Sequence, residues 1–215
     1  MLMATPLSPD GQELASQYHL PVMPAEVMEL LAVRPGGSYC DGTLGGGGHA
    51  GEILRRCAPD GRLLGIDRDP EALAECGRSL ASQGERLHAA RGSFEDLVSI
   101  ADEQGMLPLD GVLVDLGVSS HQLNHAPRGF SFDRDGPLDM RMGPDGLTAA
   151  ELIAETSDED LANLIFQLGE EKKSRRVARA IKAAQVRGEL NGTQDLARVV
   201  ARVVGMSKGK GKGKG

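Results

Sequence analysis

The chain has 215 residues, a formal net charge of −7, and 40% hydrophobic residues against only 3% aromatic and no Trp. That length suits one domain with a sizeable insertion, and its core must come from Leu, Val, Ile and Ala. The acidic balance excludes a generic nucleic-acid sponge, whose footprint is basic.

Residues 1–18 read as a loose polar leader with no apolar signal run, and no stretch is long and apolar enough for a membrane span. Val22 to Leu31 has helical spacing and is entered through Pro24. Ser38 to Asp41 predicts a first strand running into the glycine cluster Gly42 to Gly48, followed by a helix over Ala50 to Cys57. A second strand, Arg62 to Asp67, ends in an acid and leads to a helix from Pro70 to about Leu80. A third strand lies around Leu87 to Ala90. The fourth, Gly111 to Asp115, is an apolar run of the kind buried on both faces. No helix is expected between the third and fourth strands. The alternation is that of a doubly wound parallel sheet.

After Asp115 the pattern changes. Residues 117–146 are rich in Gly, Pro, Asp, Arg and Ser with no period, which predicts a long functional loop. Thr148 and Glu151 form a capping-box signature, Ser157 starts a second helix, and Gly169 and Gly188 punctuate those that follow. The last helix, from Thr193, shows Leu196, Val199, Val200, Val203 and Val204 on one face. The predicted organisation is a leader over 1–18, an α/β core over 19–146, an all-helical insertion over 147–205, and a flexible Lys/Gly tail over 206–215. Glu170 to Arg187 holds seven basic residues against two acidic, so positive charge gathers in the last quarter. Either an RNA-facing element or an ordinary solvated face accounts for it. The three cysteines, Cys40, Cys57 and Cys76, lack C-x-x-C spacing and read as reduced, buried thiols of a cytoplasmic protein.

Glycines between a strand and a helix let a ligand approach bare backbone at a helix N-terminus. Gly46, Gly48 and Gly51 even satisfy the dinucleotide spacing G-x-G-x-x-G. Asp67, about twenty residues on at a strand end, is placed to accept hydrogen bonds from ribose hydroxyls. An acid there serves NAD and S-adenosylmethionine alike. Asp41, immediately before the glycines, favours S-adenosylmethionine, because nicotinamide enzymes usually carry an apolar residue at that point. Asp115 lies at the end of the fourth strand, on the crevice edge. Phe94, after the third strand, suits either an adenine face or the core.

Five segments, in order, carry a family resemblance: Asp41 to His49, Ile66 to Pro70, Asp115 to Ser120, Arg128 to Phe132, and Asp135 to Met142. Together they resemble the ribosomal RNA small-subunit methyltransferase H family over roughly His19 to Val204. The resemblance implies a Rossmann-like S-adenosylmethionine-dependent methyltransferase fold, α/β in class, with an inserted helical domain. It implies a cytosine-N4 methylation of 16S ribosomal RNA, with the small ribosomal subunit as partner and no metal. It also implies cofactor contacts from Gly47, Gly48, His49, Asp67, Phe94, Asp115 and Gln122. His49 and Gln122 rest on the resemblance alone; no catalytic base is assigned. Family members continue into a His-Pro-Ala-Thr-Arg-Thr-Phe-Gln segment and further strands, so the sheet is expected to be incomplete, with the fourth strand at an open edge. The competing readings are a nicotinamide-dependent oxidoreductase and a non-catalytic RNA-binding or ribosome-assembly remnant.

Overall fold

A computed structural model describes residues 21–205, so the expected leader over 1–18 and tail over 206–215 lie outside the described residues. The described chain divides into two compact units: residues 21–121 with 142–144, and residues 122–141 with 145–205. The second unit thus gathers loop residues ahead of the boundary at 147 read from the sequence.

The first unit is a parallel sheet of β1 (Ser38–Asp41), β2 (Arg62–Asp67), β3 (Leu87–Arg91) and β4 (Gly111–Leu113), in the order β3-β2-β1-β4. Its helices are α1 (Pro24–Leu30), α2 (Gly48–Arg56), α3 (Pro70–Ser79) and α4 (Leu97–Glu103). Pro24 opens α1, where its missing N–H costs nothing, and Asp69 caps α3 by accepting from Glu71 N–H at 3.0 Å. Side chains alternate across the sheet with the period of two that a strand imposes. Tyr39 and Leu63 join Ile53, Leu54 and Cys76 in one core, whereas Cys40, Leu64 and Ile66 join Ala101 and Met106 in another. Both faces of β1 and β2 are therefore covered, as a parallel sheet requires.

Two sequence expectations need correction. The chain does not pass directly from third strand to fourth: α4 intervenes, and its Ala101 fills the second core. Its start is not a simple N-cap: Ser93 caps the short turn Phe94–Asp96 that leads into it, and Asp96 makes no side-chain cap of its own. The fourth strand is also shorter and more exposed than its apolar run suggested. It ends at Leu113, and Val112 and Val114 are 45% and 38% exposed, because β4 pairs only with β1 among the described residues. The expected open edge is there; burial on both faces is not.

The second unit takes in most of α5 (Ser120–Asn124), then α6 (Ala149–Glu155), α7 (Asp158–Gly169), α8 (Ser174–Val186) and α9 (Thr193–Val204). The capping box at Thr148 forms in full, and Ser157 caps α7 through Asp160 N–H at 3.1 Å. Ile153, Leu161, Val177, Ile181 and Val199 build its core. Lys182, counted in sequence among the free basic residues, is used internally. Its ammonium donates to the carbonyls of Ile153 and Thr156, both at 2.8 Å, and so satisfies the end of α6.

The long loop before α6 is folded by its own charges. Arg141 forms a two-pronged pair with Asp139 at 2.8 Å, and Arg128 donates to the Arg141 carbonyl at 3.1 Å. Arg134 donates to the carbonyl of Asn124 at 2.8 Å, while Asp135 accepts Gln194 N–H at 3.1 Å, supplying α9 with the cap that Gly192 cannot. These three arginines thus hold loop geometry.

Candidate functional site

In the order β3-β2-β1-β4, the chain winds outward from β1 to β3 and then crosses to the other side of β1. The C-terminal ends of β1 and β4 therefore flank a topological switch point, where open α/β sheets bind ligands. The glycine loop leaves β1 at that point. Its backbone donors divide between the two neighbouring strands. Gly42 N–H donates to the Leu113 carbonyl at 2.8 Å, on the β4 side. Leu44 N–H donates to the Ile66 carbonyl at 2.9 Å and Gly45 N–H to the Asp67 carboxylate at 2.8 Å, both on the β2 side.

Glycine is required at two positions here. A Cβ on Gly42 would stand 2.9 Å from Phe94 Cβ, so the loop passes between Phe94 and β4 only because that position is bare. Gly47 is the N-cap of α2 with φ of 86°, and a Cβ there would also stand 2.9 Å from Cys76 Sγ. Having no side chain, Gly47 leaves the first turn of α2 without a side-chain cap. An anionic or polar ligand group suits such a helix start.

Of the expected site residues, Gly47 caps α2, Gly48 and His49 form its first turn, and His49 is buried. Asp67 ends β2, with Oδ1 accepting Asp69 N–H at 2.9 Å and Oδ2 accepting Gly45 N–H. With the Arg68 backbone also donating, the carboxylate retains part of its acceptor capacity for a further donor. Phe94 follows β3 and is 38% exposed, so part of its surface is open to a partner. Asp115 follows β4, half-buried. All these lie in the first unit, at the C-terminal side of the strands. Gln122, buried in α5, belongs to the second unit.

Asp41 is the site residue that sequence reasoning undervalued. It ends β1 at 1% exposure, and burial pushes its carboxyl up to about 7. Hydrogen bonds from Thr43 oppose that shift, whereas the charges of Asp67 and Asp115 reinforce it. Asp67 is raised as well, chiefly by burial and against the bonds from Asp69 and Gly45. Three mutually repelling carboxyl groups thus converge at the ends of β1, β2 and β4. Beside these acids a positively charged ligand group is favoured, while the uncapped start of α2 suits a negative one.

The arrangement defines a Rossmann-like α/β domain with a glycine loop and a strand-end acid at its switch point. The chain belongs to the MraW methylase family, whose sequence model matches residues 16–214. Proteins named ribosomal RNA small subunit methyltransferase H are similar to it. That of Symbiobacterium thermophilum is 48% identical over 85% of this chain and 58% of its own length. That of Syntrophotalea carbinolica is 50% identical over 85% and 58% respectively, and that of Gluconobacter oxydans 49% over 87% and 57%. The chain therefore spans about 58% of the length of these relatives.

The buried acid generates a pH prediction. A carboxyl whose folded pKa lies above its unfolded value binds its proton more tightly when folded, so it costs stability as pH rises between the two values. For Asp41 that window runs from about 4 to about 7. Asp41→Asn keeps an acceptor for Thr43 N–H and removes the titration. Urea unfolding at pH 5 and pH 8 should show wild type losing on the order of 2–3 kcal/mol relative to the variant across that interval. Parallel pH profiles would show that Asp41 is not the titrating group.

Proposed function

We propose that the chain binds S-adenosylmethionine at the switch point and serves methylation of the N4 amino group of a cytosine in 16S ribosomal RNA. The observation that carries the cofactor is the convergence of Asp41, Asp67 and Asp115 beside a glycine-lined helix start. NAD would bring a pyrophosphate into that acidic site, whereas S-adenosylmethionine is a cation. The acceptor is supported by family membership and by the names of the relatives.

S-adenosylmethionine supplies a methyl group already activated on a sulfonium, so the chemistry asks for placement rather than a metal. In this reading Asp67 accepts the ribose hydroxyls through its remaining lone pairs. Gly47, Gly48 and His49 hold the amino-acid end at the start of α2, and Phe94 lies against the adenine. Asp115 accepts a hydrogen bond from the cytosine amine as positive charge develops on it, which counters the delocalisation of its lone pair into the ring. A base within structured RNA must leave its stack to reach such a site. Gln122 is carried as a further cofactor contact on the resemblance alone. Phe132, 60% exposed in the loop before α6, offers a stacking surface.

The RNA partner is supported by α8. Arg175, Arg176 and Arg179 are exposed and have no acidic partner among the described residues. The apolar face of the same helix, Val177, Ala178 and Ile181, is buried in the second core. The helix thus presents a row of cations held at fixed spacing by a packed base, a suitable contact for RNA phosphates. The 16S target and a small-subunit partner form one reading with it.

Two measurements test these proposals. Asp67→Asn retains an acceptor for Gly45 but replaces one oxygen by a donor. Calorimetry should show S-adenosylmethionine affinity reduced about ten- to a hundredfold, the value of one charged hydrogen bond; unchanged affinity would remove Asp67 from the cofactor. Reversing Arg175, Arg176 and Arg179 to Glu should weaken binding to small ribosomal subunits and flatten the log-log salt slope by about two units or more. A slope equal to that of wild type would make α8 an ordinary solvated face.

A further inference from the structure

The β1–β4 ladder ends at Asp41 opposite Leu113, yet Asp115 lies two residues farther on. A continued ladder would bring Thr43 opposite Asp115, and the chain does join them there, through a side chain instead of the backbone. Asp115 N–H donates to Thr43 Oγ1 at 2.8 Å. Thr43 N–H donates to Asp41 Oδ1 at 3.0 Å, and the Thr43 hydroxyl reaches the same oxygen at 3.4 Å. The result is a polar path from the buried end of β1, through the glycine loop, to the backbone beyond β4.

The direction of these bonds matters. A hydroxyl has one proton and two lone pairs, and an ionised carboxylate only accepts. Above about pH 7, where Asp41 is ionised, the Thr43 proton is committed to Asp41, and a lone pair is left facing Asp115 N–H. An Asn at position 41 would support the same turn without burying a charge beside two other acids, a considerable cost. It would also offer donors, and the hydroxyl would lose its fixed sense. The carboxylate is the group that sets the orientation.

We propose that Thr43 is a positioning residue: its hydroxyl, oriented by the buried Asp41 carboxylate, locks the Asp115 backbone to the glycine loop and so fixes the spacing between methyl donor and acceptor. The assignment of donor and acceptor rests on the function proposed above; the lock itself does not. Transfer between two bound groups is steep in distance, and about 1 Å of misplacement costs on the order of a hundredfold in rate. The glycine loop and Asp115 stand on opposite sides of the switch point. Without the lock, Asp115 would hang from an edge strand whose regular pairing has already ended at Leu113.

The test follows amide hydrogen exchange by NMR in the 215-residue chain. Thr43→Val keeps the side-chain shape and removes the hydroxyl; Thr43→Ser keeps the hydroxyl. The lock requires the Asp115 amide to exchange at least about tenfold faster in the Val variant, with Leu64 and Ile66 in β2 unaffected, and to recover in the Ser variant. Asp41→Asn, which preserves volume, should loosen Asp115 in the same selective way. Unchanged protection of Asp115 in Thr43→Val, or equal loss in the Ser variant, would overturn the proposal. Unchanged protection in Asp41→Asn would overturn the orienting role of the carboxylate. Calorimetry with S-adenosylmethionine on the same proteins separates the two levels: failure of wild type to bind it refutes the cofactor reading, while the exchange data still decide the role of Thr43.

Discussion

The site depends on one constraint: a chain leaving the middle of a parallel sheet must satisfy its backbone without closing the crevice it lines. Here the loop after β1 does so by dividing its donors. Gly42 bonds to β4, and Leu44 and Gly45 bond to β2 and its terminal acid. Thr43, between them, spends its N–H on Asp41 and its hydroxyl oxygen on Asp115. Four consecutive residues thus connect three strand ends. The loop is held from both sides.

Much of this was legible in the sequence, for identifiable reasons. β1, β2 and β3 were read nearly to the residue because turn-forming residues lie at or near their ends: Gly37 and Gly42 for β1, Gly61 and Asp67 for β2, Gly84 and Gly92 for β3. The helical caps at Thr148 and Ser157 were legible because their chemistry is local. α4 was missed because it is only seven residues long and its hydrophobic match lies on the far face of the sheet, in Leu64 and Ile66. The apolar run of β4 told of composition but not of neighbours, and it is exposure at Val112 and Val114 that reports the open edge.

The charges show the same division between local and distant information. The Arg and Asp residues that alternate in the loop before α6 take some of their partners from distant elements, which the sequence does not show. Asp135 caps α9, some sixty residues away in sequence, and Lys182 closes the end of α6. Lys173 and Arg187 are likewise engaged, by the Val204 carbonyl and by Glu189, and what remained among the described residues was Lys172 with the row Arg175, Arg176 and Arg179. Likewise the sequence offered Asp41 only as a sign of the cofactor; its burial and its acidic neighbours are what the structure adds. His49 and Gln122 were known only by resemblance, since a polar residue in a helix start or a loop carries no signature of its own.

The central claim is that the acidic switch point, and no other surface of this chain, receives a cationic nucleoside cofactor. Titrating the ¹⁵N-labelled chain with S-adenosylmethionine, with NADH as the anionic control, tests it most directly. Amides of Gly45 to His49, Asp67, Phe94 and Asp115 should shift together and saturate with one affinity, and NADH should leave them in place. Shifts confined to residues away from the ends of β1, β2 and β4, or an equal response to NADH, would contradict the account.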